Sequence, residues 1–337
     1  MVIVSLQKAL LNPEIYPDQP EEVEFLETHI SFLFFTKAHV YKVKKPVDFG
    51  FLDFTSLEKR KYFCEQEVTL NRRLAPKFYL GVVRITREGQ QVSLEGRGEV
   101  VEYAVKMKRI PEEILMDRLL ERGRVTYEMI GAVSEKLSRF YTTTTTSDLI
   151  RSFARPERIK HDTDENFEQT ERYIDLTIPR EAYSEIQNRT NRFLKIRTEV
   201  FHQRIAGNWI RDCHGDLRLE HIIWGDEISI FDCIEFNKRF RYIDTAADIA
   251  FLAMDLDYHE REDLSEHLIQ TYIAKSGDTD ILRVFDFYQC YRAYVRGKVE
   301  SFQGEGPHIP KRERKEAFQR AKKFFNLAER YALRFKL

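Results

Sequence analysis

The sequence lacks an excess of charge of either sign, and it lacks long apolar runs. Its 54 Lys and Arg side chains are balanced by 55 Asp and Glu, which leaves a formal net charge of −1. Attraction to phosphate arrays or to an anionic lipid surface needs a marked basic excess, so we predict no nucleic-acid and no membrane partner. The longest apolar runs, such as residues 249–254, fall far short of the roughly 20 residues that span a bilayer.

Cysteine is also scarce. The four cysteines, Cys64, Cys213, Cys233 and Cys290, are scattered along the chain without any C-x-x-C pair. This spacing predicts reduced thiols in the core rather than a disulfide framework or a thiolate zinc site. The first residues show no basic region followed by an apolar stretch and a small-residue cleavage site. We therefore expect a cytoplasmic protein.

The hydrophobic periodicity of the sequence changes near residue 110. Before this point the pattern alternates as in strands, which we predict over 30–45 (a hairpin), 80–86, 91–94 and 103–110. One helix is predicted here, from the capping-box spacing at 55–58 to about residue 74. The chain length and the 42% of hydrophobic residues suit two lobes with a core each. Residues 1–107 are thus predicted to form an α+β lobe of strands plus one long helix.

A second, mostly helical lobe is predicted over residues 112–337, joined to the first by a hinge at 108–111. Helical periodicity covers residues 112–122, 127–141, 184–203, 244–258, 264–275, 281–303 and 311–335. One short hairpin with a turn signal at 225–227 interrupts the helices within residues 213–235. The residues with recognisable chemistry lie in the same stretch.

Residues 214–221 read His-Gly-Asp-Leu-Arg-Leu-Glu-His, which has the spacing of the kinase catalytic loop H-x-D-L-x-x-x-N. The hairpin follows, and its second strand ends at Phe231-Asp232. Phosphoryl transfer needs one carboxylate beside the attacking hydroxyl and at least one more that holds Mg²⁺ on the phosphates. Asp216 and Asp232 supply such a pair. A buried Asp that stabilises a turn is the alternative interpretation of the H-G-D triplet by itself.

A further segment, Asp244-Thr-Ala-Ala-Asp248-Ile-Ala, resembles the D-P-x-x-D-L-A segment of the aminoglycoside phosphotransferase-like family. The resemblance covers most of the chain and implies a bilobal protein-kinase-like fold, with a small β-rich N-lobe and a mostly helical C-lobe. Stretches 41–54, 70–76 and 231–236 look like hallmarks of a bacterial group whose members often carry an additional C-terminal nucleoside-triphosphatase domain. No G-x-x-x-x-G-K-[ST] motif occurs in the sequence, so we expect a version without that domain.

The resemblance implies roles for several residues of the first lobe. Lys42 is the expected lysine that contacts the nucleotide phosphates, with Lys44 on the same strand face as the alternative. Glu67 is the expected helix glutamate that pairs with this lysine. The hinge residues Lys108, Arg109 and Ile110 are expected to bind the adenine through their backbone. The alternatives are a solvated sheet edge for the lysines and an ordinary connector for the hinge.

In the second lobe the resemblance assigns Asp216 to the acceptor hydroxyl and Asp232 to the metal. The residues expected to support the catalytic loop are His214, Asp244 and Asp248. His221 stands where the family has a metal-binding Asn, and imidazole suits softer metals than Mg²⁺. Three readings stay open: a single Mg²⁺ on Asp232, a preference for Mn²⁺, or nucleotide binding without turnover.

Two arginines one helical turn apart, Arg292 and Arg296, offer a face that suits a phosphate or carboxylate substrate. Exposed arginines paired with acidic side chains are the alternative. Glu235, three residues after Asp232, is expected at the surface, with a contact to the metal as the alternative.

The sequence thus predicts an ATP- or GTP-dependent kinase that phosphorylates a hydroxyl group of a small molecule with Mg²⁺ or Mn²⁺. The alternative from another class is a nucleotide-binding pseudokinase that regulates a partner.

Overall fold

The computed structural model describes residues 2–306 and 309–336, so the predicted lobe limits at Met1 and Leu337 lie outside the described residues. In chain order the helices and strands are α1 (Val2–Leu10), β1 (Glu24–Glu27), β2 (Ser31–Phe35), β3 (His39–Lys44), α2 (Leu57–Asn71), β4 (Tyr79–Glu88), β5 (Gln91–Leu94), β6 (Glu99–Lys108), α3 (Met116–Glu121), α4 (Tyr127–Thr143), α5 (Asp148–Ser152), α6 (Pro156–Thr170), α7 (Arg180–Ile196), α8 (Thr198–Ala206), β7 (Ile210–Asp212), β8 (Ile222–Ile223), β9 (Ser229–Ile230), β10 (Tyr242–Asp244), α9 (Thr245–Tyr258), α10 (Glu262–Ser276), α11 (Phe285–Gly304) and α12 (Lys311–Leu333). Within these ranges no helix combines the length and the apolar character that crossing a membrane requires.

The chain divides into two compact units. Unit 1 comprises Met1–Arg122 and Glu220–Lys238, and unit 2 comprises Gly123–Leu219 and Arg239–Leu337. Unit 1 thus extends beyond the predicted lobe of residues 1–107. It also takes the β8–β9 hairpin and the segment after it, which the sequence pattern placed with the helices. The predicted α+β class is confirmed, because unit 1 holds the large sheet and unit 2 is mostly helical.

Unit 1 is built on an antiparallel sheet with the strand order β1-β2-β3-β6-β4-β5. Because β3 pairs with β2 on one side and β6 on the other, its lysines do not lie on a sheet edge. Tyr41 and Val43 point into an apolar core with Leu6 and Leu10. Lys42 and Lys44 alternate with them and therefore lie on the opposite face.

Helix α2 covers that opposite face. It begins after Ser56, whose hydroxyl accepts a hydrogen bond from the Lys59 backbone N–H at 3.2 Å, as an N-cap does. Cys64 and Val68 on α2 pack with Val105 on β6. The helix ends at Asn71, ahead of the predicted end near residue 74.

Unit 2 is organised around α11, which packs against α6, α9 and α12. Two glycines on α11 allow a close approach to α12. A Cβ on Gly297 would lie 2.8 Å from the Phe325 ring, and one on Gly304 would lie 2.2 Å from the Phe318 ring. Real side chains do not tolerate such distances, so the two phenylalanines of α12 fit into notches that only glycine leaves open.

A short ladder sets the position of the H-G-D loop in unit 2. Strand β7 pairs antiparallel with β10, with Asp212 opposite Tyr242 and Asp244 opposite Ile210. The loop follows β7 directly, and α9 follows β10 directly. The Asp244 carboxylate caps α9 by accepting a hydrogen bond from the Ala246 N–H at 2.9 Å.

Two helical predictions for unit 2 differ from the structure. The helix predicted over 184–203 is two helices, α7 and α8, with Arg197 outside regular helical geometry. The Thr198 hydroxyl donates to the Leu194 carbonyl at 2.6 Å, and such side-chain bonds compete with the helical ladder. Helix α6 was not predicted, because few of its residues are apolar.

Lys298 on α11 provides a test of this packing through pH. Its ammonium donates to Asn166 Oδ1 at 2.6 Å and to Gln169 Oε1 at 2.8 Å on α6, while burial lowers the pKa of Lys298 from 10.5 to about 8. Between pH 8 and 10 the unfolded chain therefore binds a proton that the folded chain has released, and stability rises with pH. We expect the difference in unfolding free energy between wild type and Lys298→Met to grow by about 1 kcal/mol per pH unit in this window. Urea titrations of both proteins measure it, and a flat difference would contradict the lowered pKa.

Candidate functional site

In unit 1 two lysines of β3 share one glutamate of α2. Lys42 Nζ lies 2.9 Å from Glu67 Oε1, and Lys44 Nζ lies 2.7 Å from Glu67 Oε2. Glu67 is fully buried. The two lysines reach it together because residues two apart on a strand point to the same face. The structure thus brings Glu67 together with both candidate lysines.

Asp232 lies two residues beyond the end of β9 and also contacts β3. Lys42 Nζ is 2.9 Å from Asp232 Oδ1. The Asp232 backbone is left-handed, with φ of 61°, a conformation that non-glycine residues adopt at a cost unless their surroundings hold it. The Asp232 N–H donates to the Tyr79 hydroxyl at 3.2 Å, and the Cys233 N–H donates to Asn71 Oδ1 at 2.8 Å. Tyr79 and Asn71 therefore fix the backbone that carries the predicted metal ligand.

Glu235 is the residue of this cluster that the sequence misplaced. The prediction put it at the surface, but it is buried and its carboxylate forms an ion pair with Lys44. A fully buried lysine needs a counter-charge close by, and Glu67 is shared between two ammonium groups. The sequence signal was indirect: a second lysine on the buried face of a strand requires a second carboxylate.

The charges of the cluster shift one another's protonation. Burial opposes the ammonium of Lys42, but Asp232 and then Glu67 outweigh it and hold the pKa of Lys42 well above its usual range. Burial acts against the Glu67 carboxylate too, yet Lys42 and Lys44 hold its pKa below the usual range. For Glu235 burial dominates and raises the pKa. At neutral pH both lysines and Glu67 are therefore charged.

His221 supplies a nitrogen donor beside Asp232. It is buried, and its Nε2 lies 3.7 Å from Asp232 Oδ2 and 3.7 Å from Glu220 Oε1. Carboxylate oxygens are the ligands that Mg²⁺ and Mn²⁺ prefer, whereas imidazole suits softer divalent metals such as Fe²⁺ and Zn²⁺. The donor set of Asp232 and His221 therefore fits a divalent cation, with Asp232 as its main ligand.

In unit 2 the carboxylate of Asp248 organises the H-G-D loop. It accepts hydrogen bonds from the His214 N–H at 2.8 Å, the Gly215 N–H at 2.9 Å and the Tyr141 hydroxyl at 2.9 Å. Gly215 has φ of 89°, which glycine adopts without steric cost. His214 is fully buried, and its Nδ1 accepts from the Asp216 N–H at 3.3 Å. These contacts fix the backbone on both sides of Asp216.

Asp216 itself forms a two-point ion pair with Arg218, with Nε to Oδ1 at 3.0 Å and NH2 to Oδ2 at 2.9 Å. Such fork geometry fixes the orientation of a carboxylate. The loop continues to Leu219, whose N–H donates to Asp255 Oδ2 at 2.8 Å. Arg218 lies within the sequence motif, but the motif indicates no role for it.

A buried arginine clamps Asp244, the second acidic residue expected to support the loop. The guanidinium of Arg204 bonds Asp244 at 2.6 and 2.7 Å and Asp278 at 2.7 Å twice. All three side chains are almost fully buried. Asp244 therefore joins the start of α9 to α8 and to the segment after α10. The sequence pattern did not reveal Arg204 or Asp278.

The predicted substrate arginines have other partners in the structure. Arg292 is buried and donates to the Ala247 carbonyl at 3.0 Å and to the Gly215 carbonyl at 3.3 Å. It therefore supports the H-G-D loop, and a contact between Arg292 and a substrate stays a prediction. Arg296 pairs with Glu300 at 2.8 Å, as the alternative interpretation held.

Two of the backbone N–H groups at the predicted hinge have partners within the protein. The N–H of Lys108 donates to the Phe78 carbonyl at 2.8 Å, and that of Arg109 donates to the Ala38 carbonyl at 2.9 Å. These two amides are already used within the protein. The Arg109 side chain pairs with Glu24 at 2.8 Å. Of the three predicted adenine contacts, the structure leaves Ile110 as the candidate backbone donor.

Comparison with solved structures identifies the fold. A choline kinase from Cryptosporidium parvum aligns with a TM-score of 0.53 and 12% identity, over 97% of this chain and 95% of the other. An amicoumacin kinase in complex with AMP-PNP and Ca²⁺ aligns with a TM-score of 0.56 and 12% identity, over 96% and 93%. At such identity the likeness defines the fold alone. The chain has the protein-kinase-like phosphotransferase fold, which confirms the fold predicted from the sequence.

Sequence comparison adds relatives without a described activity. No family model matches the chain. Uncharacterized proteins of Mycobacterium tuberculosis and Mycobacterium bovis are 31% identical to it over 279 residues, which is 82% of this chain. The alignment covers 54% of each relative, so the chain spans about half the length of the curated relatives it matches.

Proposed function

We propose that the chain is a kinase that transfers the γ-phosphate of ATP or GTP to a hydroxyl group of a small molecule. The observation that carries the proposal is the position of Lys42, whose ammonium lies 2.9 Å from both Glu67 and Asp232. Phosphoryl transfer depends on positioning and on neutralising phosphate charge. This arrangement offers a lysine for the phosphates, a glutamate that orients it and a carboxylate for a metal.

In the proposed reaction the hydroxyl oxygen of the acceptor bonds to the γ-phosphorus while the bond from phosphorus to the β–γ bridging oxygen breaks. The hydroxyl proton passes to the Asp216 carboxylate, and the nucleoside diphosphate leaves with the electron pair. Lys42 binds phosphate oxygens, and Asp248 holds the loop that carries Asp216. Asp232 and His221 would hold Mg²⁺ or Mn²⁺, which would supply neutralisation of the phosphate charge when bound.

A solved structure with the same fold supports a nucleotide-dependent reaction. The amicoumacin kinase that shares the fold is solved with AMP-PNP and Ca²⁺, which supports a nucleotide and a divalent cation as ligands here.

The four buried thiols suit a reducing compartment, and we place the reaction in the cytoplasm. The acceptor is proposed only as a hydroxyl-bearing small molecule, because shared fold does not transfer specificity.

A regulatory pseudokinase is the second candidate function. It is favoured by one observation, the imidazole of His221 where a metal-binding amide is expected. This candidate predicts that nucleotide binds without transfer to any acceptor. It also predicts that Asp216→Ala leaves the cellular role of the protein intact.

Nucleotide-dependent thermal stabilisation tests the proposal. A ligand that binds only the folded state at about 100 times its dissociation constant adds about 2.7 kcal/mol to the free energy of unfolding. We expect ATP, GTP or ADP to raise the melting temperature further when Mg²⁺ or Mn²⁺ is added. Asp232→Ala should abolish this metal-dependent increment.

Asp226→Ala is the matched control, because Asp226 is an exposed carboxylate in the turn of the same hairpin. This variant should keep the full metal-dependent increment. If no combination of nucleotide and metal stabilises the wild-type protein, the proposed function fails.

A further inference from the structure

Five charged side chains of unit 1 form one continuous series of ion pairs in which negative and positive charges alternate. It runs from Asp232 to Lys42, Glu67, Lys44 and Glu235, with the first three contacts at 2.9, 2.9 and 2.7 Å and the last a shorter ion pair. Its two ends, Asp232 and Glu235, lie three residues apart on the same segment. This segment is therefore tied to β3 at both of its ends.

The two lysines differ in what can reach them. The side chains of Lys44 and Glu67 are 0% exposed and that of Glu235 is 6% exposed, against 13% for Lys42 and 42% for Asp232. Lys44 also lies 4.9 Å from the centre of the Phe54 ring. Lys42 and Asp232 form the solvent-exposed end of this series of ion pairs, so this is the end that can contact a phosphate or a metal.

The pair of Lys44 and Glu235 carries no net charge. It therefore adds nothing to the neutralisation of a nucleotide, and burying it costs desolvation energy. What it supplies is position. The backbone at Asp232 is left-handed, and Tyr79 and Asn71 hold the N–H groups of Asp232 and Cys233. Glu235 adds an attachment through its side chain, on the far side of Asp232.

We infer that Lys44 and Glu235 are a positioning pair that holds Asp232 in place for the metal–nucleotide complex, and that Lys42 alone contacts the phosphates. The inference rests on the proposed function. It predicts that removing the pair weakens the contribution of the metal to nucleotide binding and spares the contribution of Lys42. Outer contacts that orient metal ligands typically contribute about 10- to 100-fold in affinity.

The test is calorimetric titration of ADP into the double variant Lys44→Met/Glu235→Gln, once with Mg²⁺ and once with EDTA. The double replacement removes both charges, so neither is left buried alone. We expect Mg²⁺-dependent affinity to fall about tenfold or more, while affinity in EDTA stays near that of wild type. The single variant Glu235→Gln, nearly equal in shape, should show the same direction of change should the double variant not fold.

The matched control is Arg60→Met/Glu102→Gln, which removes another buried ion pair of unit 1, held at 2.8 Å. It should lower the melting temperature and leave Mg²⁺-dependent affinity unchanged. Equal loss in both double variants would reduce the role of Lys44 and Glu235 to stability and overturn the inference. Unchanged affinity in both Glu235 variants would also overturn it. No ADP binding by the wild-type protein, with or without Mg²⁺, would instead refute the proposed function on which the inference rests.

Discussion

Replacing Arg204 by methionine should lower the free energy of unfolding by about 3–5 kcal/mol, because it leaves two buried carboxylates without their cation. Arg204 makes two hydrogen bonds to Asp244 and two to Asp278, all between 2.6 and 2.7 Å. Arg204, Asp244 and Asp278 are buried, so water cannot solvate the two carboxylates once the guanidinium is removed. Urea unfolding followed by circular dichroism measures the loss.

An exposed ion pair provides the control. Arg312 and Glu316 lie on the surface of α12 at 2.8 Å, and Arg312→Met should leave the unfolding free energy nearly unchanged. Adding Asp278→Asn to Arg204→Met should recover part of the loss by removing one unpaired charge. A loss for Arg204→Met as small as the control would contradict the clamp.

Replacing Asp216 by asparagine should slow phosphoryl transfer about 100- to 10,000-fold, which is the usual contribution of a proton acceptor in the transition state. Affinity for ATP should stay unchanged, because the loop backbone is held by Asp248 rather than by the Asp216 side chain. Transfer of the labelled γ-phosphate to an acceptor found by screening measures the rate, and calorimetry measures the affinity.

Asp226→Asn serves as the control for Asp216→Asn, since it removes a carboxylate in an exposed turn. Full transfer by Asp216→Asn would show that another group accepts the proton. If the wild-type protein binds nucleotide and no acceptor supports transfer, the pseudokinase candidate gains over the kinase.

Local patterns predicted the parts of the fold that local physics determines. The hairpin of β2 and β3, helix α2 and the β8–β9 hairpin follow from periodicity, capping and turn residues that lie close together in sequence. The placement of Lys42 and Lys44 on one face follows from the two-residue repeat of a strand. The resemblance to a kinase family supplied the pairing with Glu67, which periodicity alone could not identify.

Long-range charge pairing is what the sequence could not predict. Lys44 pairs with Glu235, which is 191 residues away in sequence, and Arg204 pairs with Asp278, which is 74 residues away. Charged residues usually lie at the surface. The sequence therefore predicted exposed positions for Glu235 and Arg292, which the structure shows to be buried. The partners of the hinge amides were equally hard to predict, because Lys108 and Arg109 bond to the carbonyls of Phe78 and Ala38, which lie in turns far from them in sequence.

The glycine notches of α11 restrict which substitutions α11 and α12 can accept. Any side chain added at Gly297 or Gly304 would collide with Phe325 or Phe318, and a smaller residue in place of either ring would open a void. A substitution at one of these glycines is therefore tolerated only together with a change of the phenylalanine that it faces, so α11 and α12 must change in sequence together. Helix α11 also carries Arg292, whose guanidinium donates to the Gly215 carbonyl. A substitution between α11 and α12 that shifts α11 would therefore also affect the H-G-D loop.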